Sequence, residues 1–410
     1  MDTVEELELD TSRSVFVLNM DANGLGVARS LGWNGIRVIG VDYRPSIPGL
    51  FSKYVEPLLT PDPVSEPEAT VEALLKASRN ADQKPVIMAC SDAYVLLVSR
   101  YRHELGKNFV FAVPPEDITE CILNKQRQYE LARKAGIPIP RTIFPKSMAE
   151  LEHDMQEITF PAFVKPFYSH VWYRVFGNKG FIVNNKQELR ARMSRVFNSS
   201  LQAMVQSIVL PPGKDLYQYC AYVGKEGQIF PSFVWIKARQ APPNFGVASL
   251  AISRKNHHVQ ELGERFLRSI SYKGIGSVEF KFDPERKEYV LIELNCRTWM
   301  QNVMSTIAGI NLPLYQYADL TNQNIPCNHV FKEGIRWWDS ISDIDSFIRL
   351  RRREEINTVN WLKSWLGSDC YAYFWKDDIR PALRRAGFGI EIIKALVNAM
   401  RMEFDEDSVG

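Results

Sequence analysis

Gly274 to Trp299 reads GIGSVEFKFDPERKEYVLIELNCRTW, and the fold is decided here. Val278, Phe280 and Phe282 alternate with Glu279, Lys281 and Asp283, the period-two pattern of a strand with one apolar and one polar face. Asp283-Pro284-Glu285-Arg286-Lys287 is a polar turn, and Tyr289 to Leu294 is a second apolar run, so a hairpin is predicted. Glu293, Asn295 and Arg297 are spaced by two and share a face if the second strand continues, with Glu279 across from them on its neighbour. A hard cation such as Mg²⁺ takes a few carboxylate oxygens together with substrate phosphates, and a guanidinium suits phosphate oxygens. Glu279, Glu293 and Asn295 are therefore the metal-ligand candidates, and Arg297, like Arg239 further up the chain, is a catalytic candidate. A merely solvated hairpin would show the same alternation. Against that stands Glu293, which follows Val290-Leu291-Ile292: a lone carboxylate in an apolar strand needs a partner.

The chain as a whole is long enough for two or three domains with sizeable cores. It has 410 residues, 45% hydrophobic and 24% charged, as in a soluble globular protein. A net charge of +2 gives no case for a nucleic-acid partner. Arg349 to Arg353 form a basic run, but Glu354 and Glu355 dilute it. The six cysteines are scattered with no C-x-x-C, which argues against a zinc site or a disulfide framework and for a reducing, cytoplasmic setting. The acidic start MDTVEELELDTSR lacks a signal-peptide pattern, and no apolar run reaches the length of a membrane span. Phe388 to Phe404 is an amphipathic helix candidate, expected to dock on the protein's own body.

Residues 14 to 42 read as strand (Val15–Leu18), glycine turn (Asp21–Gly26), helix (Val27–Trp33) and strand (Arg37–Val41), a βαβ unit that predicts a parallel sheet. Gly24-x-Gly26 is followed by Arg29 rather than a third glycine, so a dinucleotide site with Asp42 on a ribose is an incomplete match. Pro85 to Ala89 is another buried strand, with Ser91-Asp92 at its C-terminal end as a ligand loop or a helix N-cap. A helix over 118 to 135 is stopped by Gly136-Ile137-Pro138. Lys165 lies in Ala162-Phe163-Val164-Lys165-Pro166, where a lysine must snorkel out or meet an anion. After about residue 330, Trp337, Trp338, Trp361, Trp365 and Trp375 cluster in what reads as a helical extension.

The order G-x-x-x-V-E-F-K-x-D … I-E-x-N-x-R-x-W, with N-K at Asn124-Lys125 and G-I-P-x-P at Gly136–Pro140, resembles the ATP-grasp superfamily. Within it, the chain looks most like the carboxylate–amine ligases of the D-aspartate-ligase-like and carbamoyl-phosphate-synthase-like branch, over about residues 14 to 320. The resemblance implies an α/β fold, α+β in the ATP lobes. A Rossmann-like domain (1–117) would precede two ATP-grasp lobes (118–205 and 206–330), with the helical extension at 331–410. It implies ATP and Mg²⁺, with Mn²⁺ as a substitute, and an ADP-forming ligase that joins a carboxylate to an amine through an acyl phosphate. Both substrates would be small molecules, and a homodimer is left open.

Lys125 and Lys165 would contact phosphates. His170 and Lys179, in FYSHVWYRVFGNKG, would cover them where relatives use a glycine-rich loop. Gln206, Ser207, Ile208 and Val209 would form the hinge strand at the adenine edge, although Ser207 replaces the acidic residue of many relatives. Asp215 would meet the ribose, or be a turn aspartate. Arg239, in Lys237-Ala238-Arg239-Gln240 after the strand Phe230–Ile236, would recognise phosphate or substrate carboxylate, or sit in a solvated turn. Two rival readings remain: a non-catalytic nucleotide-binding protein, and a dinucleotide-dependent oxidoreductase built on residues 14–42.

Overall fold

The computed structural model describes residues 9–167, 172, 175–178, 180–365 and 367–385. Three sheets carry the architecture. The first is parallel and runs in the order β3-β2-β1-β4-β5, from β1 (Val15–Leu18), β2 (Val38–Asp42), β3 (Val55–Leu59), β4 (Val86–Ala89) and β5 (Val110–Phe111). All four residues of β1 are buried, as expected of a central parallel strand covered on both faces.

The helix after β1 spans Ala22–Gly32 and starts earlier than the sequence suggests. Asp21 is its N-cap and accepts from Ala22 N, so Gly24 and Gly26 lie inside the first turns rather than in a loop. A Cβ on Gly24 would stand 2.1 Å from Asn19 O, and one on Gly26 2.5 Å from Asn302 Oδ1. These glycines serve protein-to-protein close approach. Asp42, the tempting ribose ligand, is fully buried and accepts from Met20 N and from the Arg44 guanidinium.

The second sheet, ordered β6-β9-β7-β8, is antiparallel and comprises β6 (Thr142–Ile143), β7 (Ala162–Pro166), β8 (Phe181–Val183) and β9 (Ala203–Ser207). The helices Met148–Asp154 and Lys186–Asn198 supply Leu151, Leu189, Met193 and Val196 to its own small core. Both begin at capping boxes: Ser147 accepts from Glu150 N while Glu150 reaches back to Lys146 N, and Asn185 with Glu188 does the same.

The third sheet runs β14-β13-β10-β11-β12-β15-β16. Its strands are β10 (Leu216–Val223), β11 (Phe233–Ala241), β12 (Val247–Ser253), β13 (Gly274–Asp283), β14 (Glu288–Asn295), β15 (Arg336–Trp338) and β16 (Cys370–Tyr371). The hairpin expected at 274–295 is β13–β14, and Glu279 faces Glu293 in its register.

Three further expectations need correction. The single helix over 118–135 is two, Glu116–Leu123 and Lys125–Lys134, because Asn124 leaves the helical region (φ −90°, ψ 113°) and caps Arg127 N. Lys237 and Arg239 lie within β11, not in a turn after it. The segment from 331 is not purely helical. Besides the helices Ser340–Arg352 and Thr358–Trp365, it adds β15 and β16 to the large sheet, with Trp337 fully buried. The amphipathic stretch Phe388–Phe404 lies outside the described residues. Among the described residues no helix is long and apolar enough to cross a membrane.

Candidate active site

A cavity of about 590 Å³ lies between the second and third sheets, within the usual range for a small-ligand site. Its floor is the polar face of the β10–β13–β14 ladder. Ser277, Glu279 and Lys281 of β13 project into it at period two, opposite Glu293 and Asn295 of β14. Ile292 is an extra residue in the register between Glu293 and Leu291. This bulge lets Leu291 turn into the core, fully buried, while Glu293 and Asn295 remain on the cavity wall.

β14 is an edge strand, and its open side is covered by the helix Lys125–Lys134. Gln128 donates to Leu294 O and accepts from Leu294 N, and Tyr129 Oη donates to Ile292 O. The helix is thereby held with its first residue over the carboxylates: Lys125 Nζ is 2.5 Å from Glu293 Oε1. Glu279 is paired by Lys237 Nζ at 2.6 Å and accepts from Gln218 Nε2. Arg297 lies just past β14, where its Nε meets Asp92 Oδ1 at 2.8 Å and its Nη2 approaches Asn295 Oδ1. Asp92 opens the helix Asp92–Arg100 that follows β4 of the N-terminal sheet, with Ser91 as its N-cap.

From the smaller sheet, Lys165 of β7 reaches the cavity and donates to Gln206 Oε1 at 2.7 Å. Gln206 is itself fixed by Tyr129 Oη and Thr142 Oγ1. Among the described residues no carboxylate lies within ion-pair distance of Lys165. Burial, then the neighbouring Lys125, lower its ammonium to about 8, against a smaller upward pull from Glu293 and Glu279. Glu293 shows the converse: burial pushes it up, but Lys125, Lys165 and Arg297 outweigh that and hold it at about 2. The site is thus arranged for anions. Three cationic groups surround Glu293, and among the described residues Lys165 still has no ion-pair partner.

Ser207, Ile208 and Val209 line the far wall. Ser207 Oγ accepts from Thr159 N, while the amides of Ser207 and Ile208 bind Arg141 O and Pro161 O. Phe163 of β7 stacks on Phe245 of the β11–β12 loop at 5.5 Å, bridging the two sheets at the cavity wall.

Two expected site residues are not brought to the cavity. Arg239 makes a buried bidentate pair with Asp343 of the helix Ser340–Arg352 and also donates to Ser364. A bulge between Lys237 and Arg239 breaks the alternation of β11, so Lys237 points into the cavity and Arg239 does not. Asp215 is exposed at a positive φ of 51° in the turn before β10, outside the cavity lining. His170 and Lys179 fall outside the described residues. The sequence reading missed Gln218, Lys237 and Lys281 as wall residues. Lys281 was legible from its period-two spacing to Glu279, and Gln218 as a lone amide in LYQYCAYV. Lys281 donates to Pro211 O and Lys214 O, tying the inter-sheet connection to the floor.

These donors suit a magnesium nucleotide. Among the described residues no group of three or more His, Cys, Asp or Glu side chains converges. Two carboxylates and an amide are what Mg²⁺ takes when phosphate oxygens and water complete its shell. Gln218 Oε1, Trp235 Nε1, Ser277 Oγ and Trp299 Nε1 all belong to cavity-lining residues, and all lack a hydrogen-bond partner among the described residues. Buried polar atoms are seldom left so unless a ligand or water meets them.

Comparisons with known proteins bear on this geometry. The family profile described as carbamoyl-phosphate synthase L chain, ATP binding domain, matches residues 248–320, which include both carboxylates and Arg297. A D-aspartate ligase of Enterococcus faecium (strain Aus0004) is 24% identical over 318 residues, covering 74% of this chain and 75% of that protein. By this match and this relative the chain is similar to the ATP-grasp superfamily. Two solved ATP-grasp structures share its fold. N5-carboxyaminoimidazole synthetase from Staphylococcus aureus, complexed with ADP, superposes with a TM-score of 0.60 at 15% identity, over 78% of this chain and 80% of that one. A biotin carboxylase–β-γ-ATP complex from Campylobacter jejuni gives 0.62 at 16% identity, over 79% and 74%. Among these similar proteins one is a ligase by name, and the two structures hold ADP and an ATP analogue.

Proposed function

We infer that this protein joins a small carboxylic acid to an amine through an acyl phosphate, releasing ADP and phosphate. The observation that carries the reading is the facing pair Glu279 and Glu293, with Lys125, Lys165 and Arg297 in the same cavity. A carboxylate is a poor acyl donor because its leaving group is oxide. Transfer of the γ-phosphoryl group to a carboxylate oxygen breaks the bond to the bridging oxygen of ADP and supplies a better leaving group. The amine nitrogen then attacks the acyl carbon, the carbon–oxygen bond to phosphate breaks, and the amine proton passes to solvent. In such a reaction the protein mainly positions reactants and neutralises charge.

Lys125 and Lys165 would bind phosphate oxygens. Glu279, Glu293 and Asn295 would hold Mg²⁺, which when bound draws charge from the phosphates. Lys125 and Lys237 now neutralise these carboxylates, so nucleotide binding would exchange partners: each lysine would turn to a phosphate as the carboxylates take the metal. Arg297, held by Asp92 across from Glu293, would face the acyl phosphate and stabilise the charge that develops on its oxygens. Ile208 and Val209 would flank the adenine. The name of the D-aspartate ligase relative supports an amino acid or peptide as substrate, with a cell-envelope precursor as the narrower form, and a cytoplasmic setting goes with this reading.

Product analysis tests it. Mg-ATP with carboxylate and amine libraries should yield ADP by chromatography, and hydroxylamine in place of the amine should yield a hydroxamate. AMP as the product, or no hydroxamate with any carboxylate that drives ATP cleavage, would overturn the mechanism.

A further inference from the structure

Beside the nucleotide cavity lies a second one of about 240 Å³, and Val247 and Met300 belong to the walls of both. Its polar lining is drawn from distant segments: Asp21 at the end of the first βα connection, and Asp339, Ser342, Tyr373 and Arg385 from the C-terminal segment.

Asp339 is 3% exposed. It occupies the N-cap of the helix Ser340–Arg352, yet its side chain makes no capping bond. The one hydrogen bond to its carboxylate comes from Ser342 Oγ, and among the described residues no cation lies within ion-pair distance. A carboxylate this buried normally has a cationic partner. Arg385 lines the same cavity. Its guanidinium lies over the Tyr373 ring, and among the described residues its Nε has no hydrogen-bond partner and no carboxylate pairs with it. Tyr373 Oη donates to Asp21 Oδ1, and Asp21 adds a second carboxylate to the same lining. Among the described residues, then, this void carries a carboxylate at Asp339 and a guanidinium at Arg385 with no ion-pair partner in each other or elsewhere, and a further carboxylate at Asp21. A ligand bearing both charges satisfies both.

We propose that this side chamber binds a free α-amino acid, with its ammonium at Asp339 and its carboxylate at Arg385. Adjacency to the nucleotide cavity makes this amino acid the amine substrate: its ammonium passes a proton to the Asp339 carboxylate, and the freed nitrogen attacks the acyl carbon as the bond to phosphate breaks. That role rests on the ligase reading; the binding does not.

The test is calorimetry on the full chain with MgADP present. The probes are free L- and D-α-amino acids, each with its N-acetyl and methyl ester forms. At least one free amino acid should bind, with both blocked forms weaker by about tenfold or more, the effect of losing a charge-assisted hydrogen bond. Asp339→Asn should erase the discrimination against the N-acetyl form, and Arg385→Met that against the ester. If Asp339→Asn fails to fold, Arg385→Met decides alone, since its half-buried side chain leaves the Asp339–Ser342 contact intact. The proposal is overturned if no free amino acid binds, or if folded variants discriminate as the wild type does. Wild-type chain that binds Mg-ATP and forms hydroxamate, but ignores every free amino acid, overturns the chamber and keeps the ligase reading. Chain that binds amino acids in the stated pattern but never cleaves ATP does the reverse.

Discussion

At the scale of single residues, Lys165 is the side chain whose cost and use are most clearly separated. Burial and Lys125 bring it from 10.5 to about 8. The unfolded chain then binds more protons than the folded one between those values, so stability of the ligand-free protein rises with pH through that window as this charge is relieved. Nucleotide phosphates favour the charged form, so the opposite sign governs binding. Above pH 8, Mg-ATP affinity should fall by up to about tenfold per pH unit, with proton uptake on binding. Calorimetry at pH 8.5 in two buffers of different ionisation enthalpy measures that uptake, and a buffer-independent heat would rule it out. Lys165→Met should weaken Mg-ATP at least about tenfold while leaving the melting temperature of the free protein unchanged or higher. Glu293→Ala should abolish ATP turnover in a chain that still folds; a folded variant with wild-type turnover would remove Glu293 from the metal site.

Among the elements, β11 carries two basic residues with different tasks, and the bulge between Lys237 and Arg239 separates them. Arg239 joins the large sheet to the helix Ser340–Arg352, where Asp343 is completely buried and also accepts from Ser249 Oγ and Trp361 Nε1. Burial raises the Asp343 carboxyl, but Arg239, with help from Ser249, outweighs it and leaves it below its ordinary value. Arg239→Met strands that carboxylate. Stability should fall by about 3–5 kcal/mol in urea titrations with Mg-ATP affinity unchanged, whereas a stable variant with weakened nucleotide binding would return Arg239 to the phosphate site. The helix break at Asn124 is an element-scale device as well. It makes Lys125 the first residue of a new helix, with the ammonium over β14.

Over the whole molecule, the C-terminal segment clamps the N-terminal sheet to the large one. Asp378 takes Arg29 Nε at 2.9 Å, Ser52 Oγ at 2.8 Å and Lys53 N at 2.9 Å, with both charged side chains buried. β15 pairs with β12 in the large sheet, and Trp337 fills its core. Asp378→Ala should cost about 3–5 kcal/mol through the uncompensated Arg29 charge, read by thermal or urea denaturation. A chain ended at residue 330 should not fold, and a soluble, cooperatively melting truncation would contradict the clamp. The period-two alternation of β13 and β14, the βαβ start and the apolar strand around Lys165 were readable directly, because side-chain direction within one element follows from its own repeat. Glu279, Glu293, Asn295, Arg297 and Lys165 could be singled out on that basis, and Lys125 through the resemblance carried by Asn124-Lys125. Which cation meets which carboxylate was not readable. Lys237 displaces Arg239 through a bulge, Lys125 depends on side-chain bonds from Gln128 and Tyr129 to an edge strand, and Asp92 reaches Arg297 from another sheet. Nor did the tryptophan-rich C-terminal segment announce that it would extend a sheet and wall a second cavity with Asp339 and Arg385. Those outcomes were decided by tertiary structure alone, because bulges and long-range ion pairs arise from partners far away in the chain and leave no periodic trace in the residues that make them.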